Sequence, residues 1–475
     1  MGKLSLANIK KTVYYLKRNG LRETWNAARE RMAATEHYAP RIFTEQELRK
    51  MQEQAKAWSL QEKESGREAP FFQILVPAYR TNPQFLRELT QSLQAQVYPN
   101  WELLILDATE GEEVCVALEE ICKALEDAGE MKGQVRYVHL PSNGGISENT
   151  NAAIPYLKEG YVGLLDHDDV LTPDALYEMA KVILSAEGEE PVMIYSDEDK
   201  WDGADRYYEY HRKEDFNLDL LLSNNYVCHF LVMKADFFRE LKLRAAYDGA
   251  QDYDLVLRAA ASILDRGGSP EKEICHVPAA LYHWRCHVGS TAENPRSKTY
   301  AYEAGRRALQ DFADHRKWKA KAENLKHVGF YRLSFESAME ELRERKDLFA
   351  IGGKVLQDKM LAGGRMAGDG GVYYEGLKEG FSGYLHRAVL TQDAEAVDLR
   401  CICVREELWP LFESIVGVPY VTRKLEDGGR TRADIFDVTT LPAGADVKAL
   451  SLRLCKALRE QGGRILWDPE MIVRL

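Results

Sequence analysis

Apolar positions recur along the chain in two periods. Phe72–Val76, Glu102–Leu106, Gln134–His139, Tyr161–Leu165 and Val192–Tyr195 are short apolar runs that predict buried strands. Helical spacing alternates with them. Asn82-Pro83 is a cap with proline in the first turn, and Phe85, Leu86, Leu89 and Leu93 mark the face that follows. Glu112–Asp127 and Ser147–Leu157 also read as helices. Thr172-Pro173-Asp174 caps another, with Leu176, Met179, Ala180 and Ile183 on one side. Such alternation predicts an α/β domain with a mostly parallel sheet covered by helices on both faces.

Before the first strand the pattern is helical and polar. Leu6, Ile9, Val13 and Leu16 predict an amphipathic helix, Gly20 its end, and Leu21–Met32 a second helix with Trp25 on the apolar side. Residues 41–69 read as an exposed helix and a linker around Glu64-Ser65-Gly66-Arg67-Glu68. Charge changes this picture. Residues 1–34 hold eight Lys/Arg and two acids, a net +6, which leaves −18 for the rest of a chain whose total is −12. Two readings stay open for the basic segment: a helix pair docked on the main domain, or a peripheral surface for anionic lipid.

The chain has 475 residues, 45% of them hydrophobic and 29% charged, which fits a globular protein of two to four domains. An acidic balance argues against a nucleic-acid binder. No apolar run reaches the length of a membrane span, and the N-terminus lacks the apolar core of a secretory signal. The eight cysteines form no CxxC pair and read as reduced thiols in a cytoplasmic protein.

In an open α/β sheet, ligands bind beyond the carboxyl ends of the strands. Three acidic groups are expected there: Asp107, Asp166-His167-Asp168-Asp169, and Asp197-Glu198-Asp199. Nothing matches a P-loop, and Val76-Pro77-Ala78-Tyr79-Arg80-Thr81-Asn82 lacks the Gly-x-Gly-x-x-Gly of a dinucleotide site. Asn143-Gly144-Gly145 is a turn that would admit a ligand closely or serve as a plain loop. Carboxylates without a glycine-rich cradle suggest phosphate binding through Mg²⁺ or Mn²⁺, with Asp166-x-Asp168 as ligands. The bland alternative is a solvated turn in which Asp169 caps a helix.

These residues together resemble the family 2 glycosyltransferases of GT-A fold, and among them bacterial enzymes of cell-surface polysaccharide synthesis. The motifs run in the family's order across about residues 70–310. They are Ile74–Tyr79, Trp101–Asp107, Asn143–Ser147, Leu165–Asp169, Tyr195–Lys200, Gly249–Leu255 and Tyr282–Arg285. The resemblance implies a Rossmann-like mixed sheet flanked by helices and a nucleotide-sugar donor. Pro77, Tyr79 and Asp107 match nucleoside-binding positions, with Ala108 where relatives often carry a second Asp. Asn143, Gly144 and Asp166 fall in donor-binding motifs. Asp166 and Asp168 match the DxD motif, and His283 a further metal-ligand position, for Mn²⁺ or Mg²⁺. Asp252 matches the catalytic base, preceded by Gln251 where Glu is usual. Arg285 and His287 are expected at the leaving diphosphate. Trp284 reads as packing and His211 as surface.

The resemblance further implies inverting transfer to a glycan or lipid-linked acceptor, at the inner face of the membrane. The alternatives are a sugar nucleotidyltransferase, disfavoured by the missing phosphate loop, and a non-catalytic partner subunit that binds a nucleotide sugar or glycan. Residues 1–66 are expected as a helical extension and 67–320 as the GT-A domain. Residues 321–475 are expected as a degenerate partial copy that shapes the acceptor side or mediates oligomer assembly. Gly444–Leu450 loosely echoes Gly249–Leu255, with Lys448 and Ala449 near the place of the base.

Overall fold

The computed structural model describes residues 6–33, 38–64, 66, 68–111, 119–121, 123–124, 134–286, 299–425 and 429–475. Most of the expected helix 112–127, Ser65 and Arg67 of the expected linker, and His287 lie outside the described residues. The chain divides into two compact units. One comprises Glu36–Phe216 and Tyr226–Ala308, the other Met1–Thr35, Asn217–Asn225 and Leu309–Leu475.

The first unit is built on a nine-stranded sheet. Its strands are β1 (Phe72–Ala78), β2 (Trp101–Asp107), β3 (Val135–His139), β4 (Tyr161–Leu164), β5 (Val170–Leu171), β6 (Met193–Trp201), β7 (Tyr207–His211), β8 (Leu231–Lys234) and β9 (Ile274–Arg285). They lie in the order β3-β2-β1-β4-β8-β6-β9-β5, with β7 paired to β6. β3, β2, β1 and β4 are parallel, β8 runs against both β4 and β6, and β9 returns parallel to β6. The sheet is therefore mixed: a parallel half followed by an antiparallel insertion, the GT-A arrangement.

Local chemistry explains the elements. Helix Pro83–Gln94 starts where the Asn82 side chain accepts from the Gln84 N–H, and it buries Leu86, Leu89 and Leu93 against the sheet. β1 and β2 are buried almost throughout, as apolar strands of a covered parallel sheet are. Gly163 on β4 packs against Ile74 and Phe230; a Cβ there would come within 2.9 Å of both. The helix expected over Ser147–Leu157 is shorter, Ile146–Asn151, followed by a 3₁₀ turn at Ile154–Tyr156 that contains Pro155.

The polar segment before β1 is a helix, Glu45–Glu64, opened by a reciprocal cap between Thr44 and Glu47. Not all of it is exposed. Ala55 is buried, and Trp58 stacks on Tyr177 with ring centroids 4.8 Å apart.

β6 differs most from expectation. It extends through Trp201, so Asp197, Glu198 and Asp199 lie inside the strand and not beyond its end. All three are buried and paired. Asp197 accepts from Tyr210, the Lys213 N–H and His276. Glu198 accepts from His211, Lys213 and His229. Asp199 is bonded to Tyr38 and His283. Burial alone would raise the Glu198 carboxyl, yet Lys213 and its histidine partners hold it well below the ordinary range. His211 is accordingly a half-buried partner of Glu198 and not a surface residue.

In the second unit a five-stranded sheet centres on Leu348–Gln357. That strand pairs in parallel with Arg464–Arg474 and against Met360–Gly363 and Ile402–Val404. Gln392–Asp393 runs against the far side of Arg464–Arg474. β6 has the same set of neighbours: β9 in parallel, β7 and β8 antiparallel, and β5 beyond β9. Helix Leu6–Ala33 belongs to this unit and breaks at Gly20, whose φ is 81°. It is tied there by Arg18 to the Leu325 carbonyl, Lys326 to Glu23, and Glu30 to the Ser382 and Gly383 N–H groups. Among the described residues no helix is long and apolar enough to cross a membrane.

Candidate active site

The site is assembled at the carboxyl ends of β2, β1 and β4, which are neighbours in the sheet. The Ala108 N–H donates to the Ala78 carbonyl, and the Arg80 N–H to Thr109 Oγ1, so the chain leaving β1 and the chain leaving β2 are joined. Pro77 and Tyr79 are half-buried here, with the Arg80 guanidinium 5.1 Å from the Tyr79 ring centroid. Asp107 closes β2 and is fully enclosed. Its carboxylate accepts from the Thr109 N–H and hydroxyl and from the Tyr137 hydroxyl at 2.6–2.9 Å. Thr109, two positions on, is thus the residue that organises this end of the strand.

At the 143–149 turn, Asn143 is exposed. Its side-chain oxygen accepts from the Gly145 N–H and from Asn149, while the Gly144 N–H donates to Asn149. Gly145 has φ 90°, and a Cβ there would meet the Asp248 carboxylate at 2.5 Å. The close approach that glycine permits is made by Asp248, which also accepts from Ser147.

After β4 the chain turns through Asp166, His167, Asp168 and Asp169 into β5. Oxygens of Asp166, Asp168 and Asp169 lie within 4.8 Å of one another. Burial, and then the charges of Asp168 and Asp252, push Asp166 above the ordinary carboxylate range against the opposing effect of His229 and His167. Asp169 is raised further by burial and by its two acidic neighbours. It caps no helix. Its oxygens accept from Tyr282 and from the Arg285 N–H, which clamps the turn to β9. His167 Nδ1 is buried without a hydrogen-bond partner among the described residues.

Arg285 is buried to 3% exposure. Its Nε donates to the Asp168 carbonyl, its guanidinium pairs with Glu88 at 2.6 Å, and it lies between the rings of Phe85 and Trp201. In this position it holds the backbone that carries Asp168. His283, also buried, bonds through Nδ1 to Asp199 and meets the Tyr207 ring edge-on. It lies outside the three-carboxylate group. Trp284 is half-buried, with its ring 5.9 Å from that of His229.

Residues 73–242 match the Glycosyl transferase family 2. Residues 73–242 form a family 2 glycosyltransferase domain. An uncharacterized protein of Sinorhizobium fredii, y4gI, is 38% identical over 243 residues, which is 51% of this chain and 25% of that protein. The O-antigen biosynthesis protein RfbC of Myxococcus xanthus is 30% identical over 243 residues, 51% of this chain and 18% of that protein. The chain thus spans a quarter or less of these curated relatives. Among solved structures, S. aureus TarS 1-349 is similar at 15% identity, covering 52% of this chain and 65% of that one with a TM-score of 0.37.

The glycosyltransferase domain so matched contains Pro77, Tyr79, Asp107, Asn143, Gly144, Asp166 and Asp168. Asp252 lies beyond it, in the first turn of helix Gln251–Asp265. It is half-buried, its charge acts on Asp166, and the Cys228 thiol lies 3.4 Å from its Oδ2. Asp254, two residues on, is buried elsewhere and neutralised by Arg244 and Arg258. Cys228, His229 and Tyr282 are neighbours of this site that sequence reasoning did not single out as site residues. Cys228 and His229 have no recognisable spacing to another motif, and Tyr282 entered only as the first residue of Tyr282–Arg285.

Proposed function

We propose that the chain transfers a sugar from a nucleotide-diphosphate sugar to a glycan or lipid-linked acceptor, with inversion, in cell-surface polysaccharide synthesis. The observation that carries this reading is the meeting of Asp166, Asp168 and Asp169 beside Asp252 at the carboxyl end of β4. The donor set fits a hard divalent cation. Asp166, Asp168 and Asp169 offer carboxylate oxygens, and burial together with like-charged neighbours raises Asp166 and Asp169, a repulsion that a cation would relieve. Mn²⁺ or Mg²⁺ would be held by Asp166 and Asp168, with His283 as a further ligand. When bound, such an ion offsets the negative charge that develops on a departing diphosphate.

The chain's own residues supply the rest. Pro77 and Tyr79 line the nucleoside side, and Asp107 with Thr109 shapes it. Asn143 and Gly144 border the donor. Arg285 holds the Asp168 turn, while His287 is left for the diphosphate. Asp252 takes the acceptor hydroxyl's proton as that oxygen bonds to the anomeric carbon and the bond to the diphosphate oxygen breaks. A single base opposite the leaving group gives inversion. Residues 321–475 are a degenerate partial glycosyltransferase-like domain. The shared strand neighbours of Leu348–Gln357 and β6 support this reading, and Lys448 in the first turn of helix Val447–Glu460 stands where a base would be needed.

The test is thermal stabilisation by a panel of nucleoside diphosphates and nucleotide sugars, with and without Mn²⁺. One nucleotide series should raise the midpoint only with metal, and Asp168→Asn should abolish the metal-dependent part. If no donor shifts the wild-type protein, the non-catalytic partner reading takes its place.

A further inference from the structure

Cys228, His229 and Asp252 bring three different donor atoms together in the first unit. Cys228 Sγ lies 3.5 Å from His229 Nε2 and 3.4 Å from Asp252 Oδ2. A tetrahedral zinc ion with ordinary bond lengths to sulfur, nitrogen and oxygen separates such ligand atoms by roughly 3.5–3.6 Å. The sulfur is therefore spaced from both of its partners as zinc ligands are.

The second feature is how His229 is held. Its Nδ1 is 3.1 Å from Glu198 Oε2. A carboxylate on one ring nitrogen fixes the tautomer and orients the other nitrogen for a metal. Tyr282 stacks on the ring at 4.5 Å and 10°, and Glu198 is itself fixed by His211 and Lys213. Glu198, Cys228 and His229 offer ligand atoms within 4.8 Å of one another. The His229 side chain keeps 18% exposure, and Cys228 and Asp252 are half-buried, so an ion has a way in.

We propose that Cys228, His229 and Asp252, with Glu198 behind His229, form a binding site for a soft divalent cation of the zinc class, distinct from the Asp166–Asp168 pair. A thiolate ligand favours such an ion over Mg²⁺ or Mn²⁺, which prefer oxygen. On binding, the sulfur–metal and Nε2–metal bonds form as the Cys228 thiol and the His229 ring each release a proton to solvent. Occupation also takes the Asp252 carboxylate, so the ion inhibits sugar transfer. That last consequence rests on the proposed function; the binding does not.

Co²⁺ is the probe, added to the full chain without nucleotide. A thiolate-to-cobalt charge-transfer band should appear, disappear on addition of Zn²⁺, and be absent from Cys228→Ser and from His229→Gln. Circular dichroism of the metal-free variants checks that they are folded. Asp166→Asn should keep the band, which separates this site from the carboxylate pair. Absence of the band in the wild-type protein, or its survival in Cys228→Ser, overturns the proposal. In a transfer assay with excess Mn²⁺, Cys228→Ser should need about tenfold or more Zn²⁺ for the same inhibition. A cobalt band in a protein that binds no nucleotide would leave this site standing while the glycosyl-transfer reading fell.

Discussion

His283 and Asp199 are register partners on the parallel strands β9 and β6, and His283 Nδ1 lies 2.6 Å from Asp199 Oδ1. The other Asp199 oxygen accepts from the Tyr38 hydroxyl, also at 2.6 Å. With Nδ1 engaged, Nε2 is the ring nitrogen left for a cation. If His283 is a metal ligand, Asp199→Asn should weaken Mn²⁺ binding ~10–100-fold, because the carboxylate fixes the ring and its tautomer. Electron paramagnetic resonance of free Mn²⁺ during a titration measures this. An unchanged affinity would remove His283 from the ligand set.

Asp252 is expected to act on the acceptor and not on the donor. Asp252→Asn should lower the turnover rate by ~10²–10⁴, the usual range for a lost general base. Metal-dependent stabilisation by the donor should persist. Retention of full turnover would take the base role away from Asp252.

β1, β2 and β4 were legible because they are covered on both faces and so read as apolar runs. Asp166 and Asp168 were legible as a cluster for the same reason: they follow such a run directly. Asp197, Glu198 and Asp199 misled, since charge after an apolar run ordinarily ends a strand. Their counterparts are Tyr38, Lys213, His229, His276 and His283, far apart in sequence, and only the fold brings these to β6. Arg285 likewise carried a charge that suggested phosphate, whereas Glu88 and two aromatic rings enclose it.

Glu341 sets a pH dependence in the second unit. Burial, partly opposed by Arg345, lifts its carboxyl to about 8. The folded chain keeps this proton where the unfolded chain, with an ordinary glutamate near ~4.3, has lost it. Stability therefore falls as pH rises from that value towards 8, and Asp393, raised by burial to about 7, adds to the same slope. Glu341→Gln should flatten the slope and stabilise the protein at pH 8 by on the order of 1–3 kcal/mol. Urea midpoints at acidic and alkaline pH would show this. A slope unchanged by the substitution would mean that Glu341 is ionised in the folded state.

The N-terminal helix points to a test on vesicles. It is bound to its own unit by Arg18, Glu23 and Glu30, yet Leu21 and Trp25 are 79% and 64% exposed. Basic charge with two exposed apolar side chains suits peripheral attachment to anionic lipid. Leu21→Ser with Trp25→Ser should reduce sedimentation with phosphatidylserine vesicles several-fold and leave the melting temperature unchanged. Equal sedimentation of both proteins would reject the lipid role and leave the helix as a structural extension.

Asn217–Asn225 belongs to the second unit although the chain on either side of it builds the first. Within that short stretch Asp219 pairs with Arg345, which is 1% exposed, and with Arg464. Neither unit is therefore a cassette. A fragment beginning at Leu309 would enclose the Arg345 guanidinium without its principal counter-ion, a loss of about 3–5 kcal/mol for a buried pair. Recombination that moved either half into another gene would have to carry the interleaved segment with it. The two units are interleaved in one coding sequence, and a substitution at Asp219 made to alter one of them falls between stretches that encode the other.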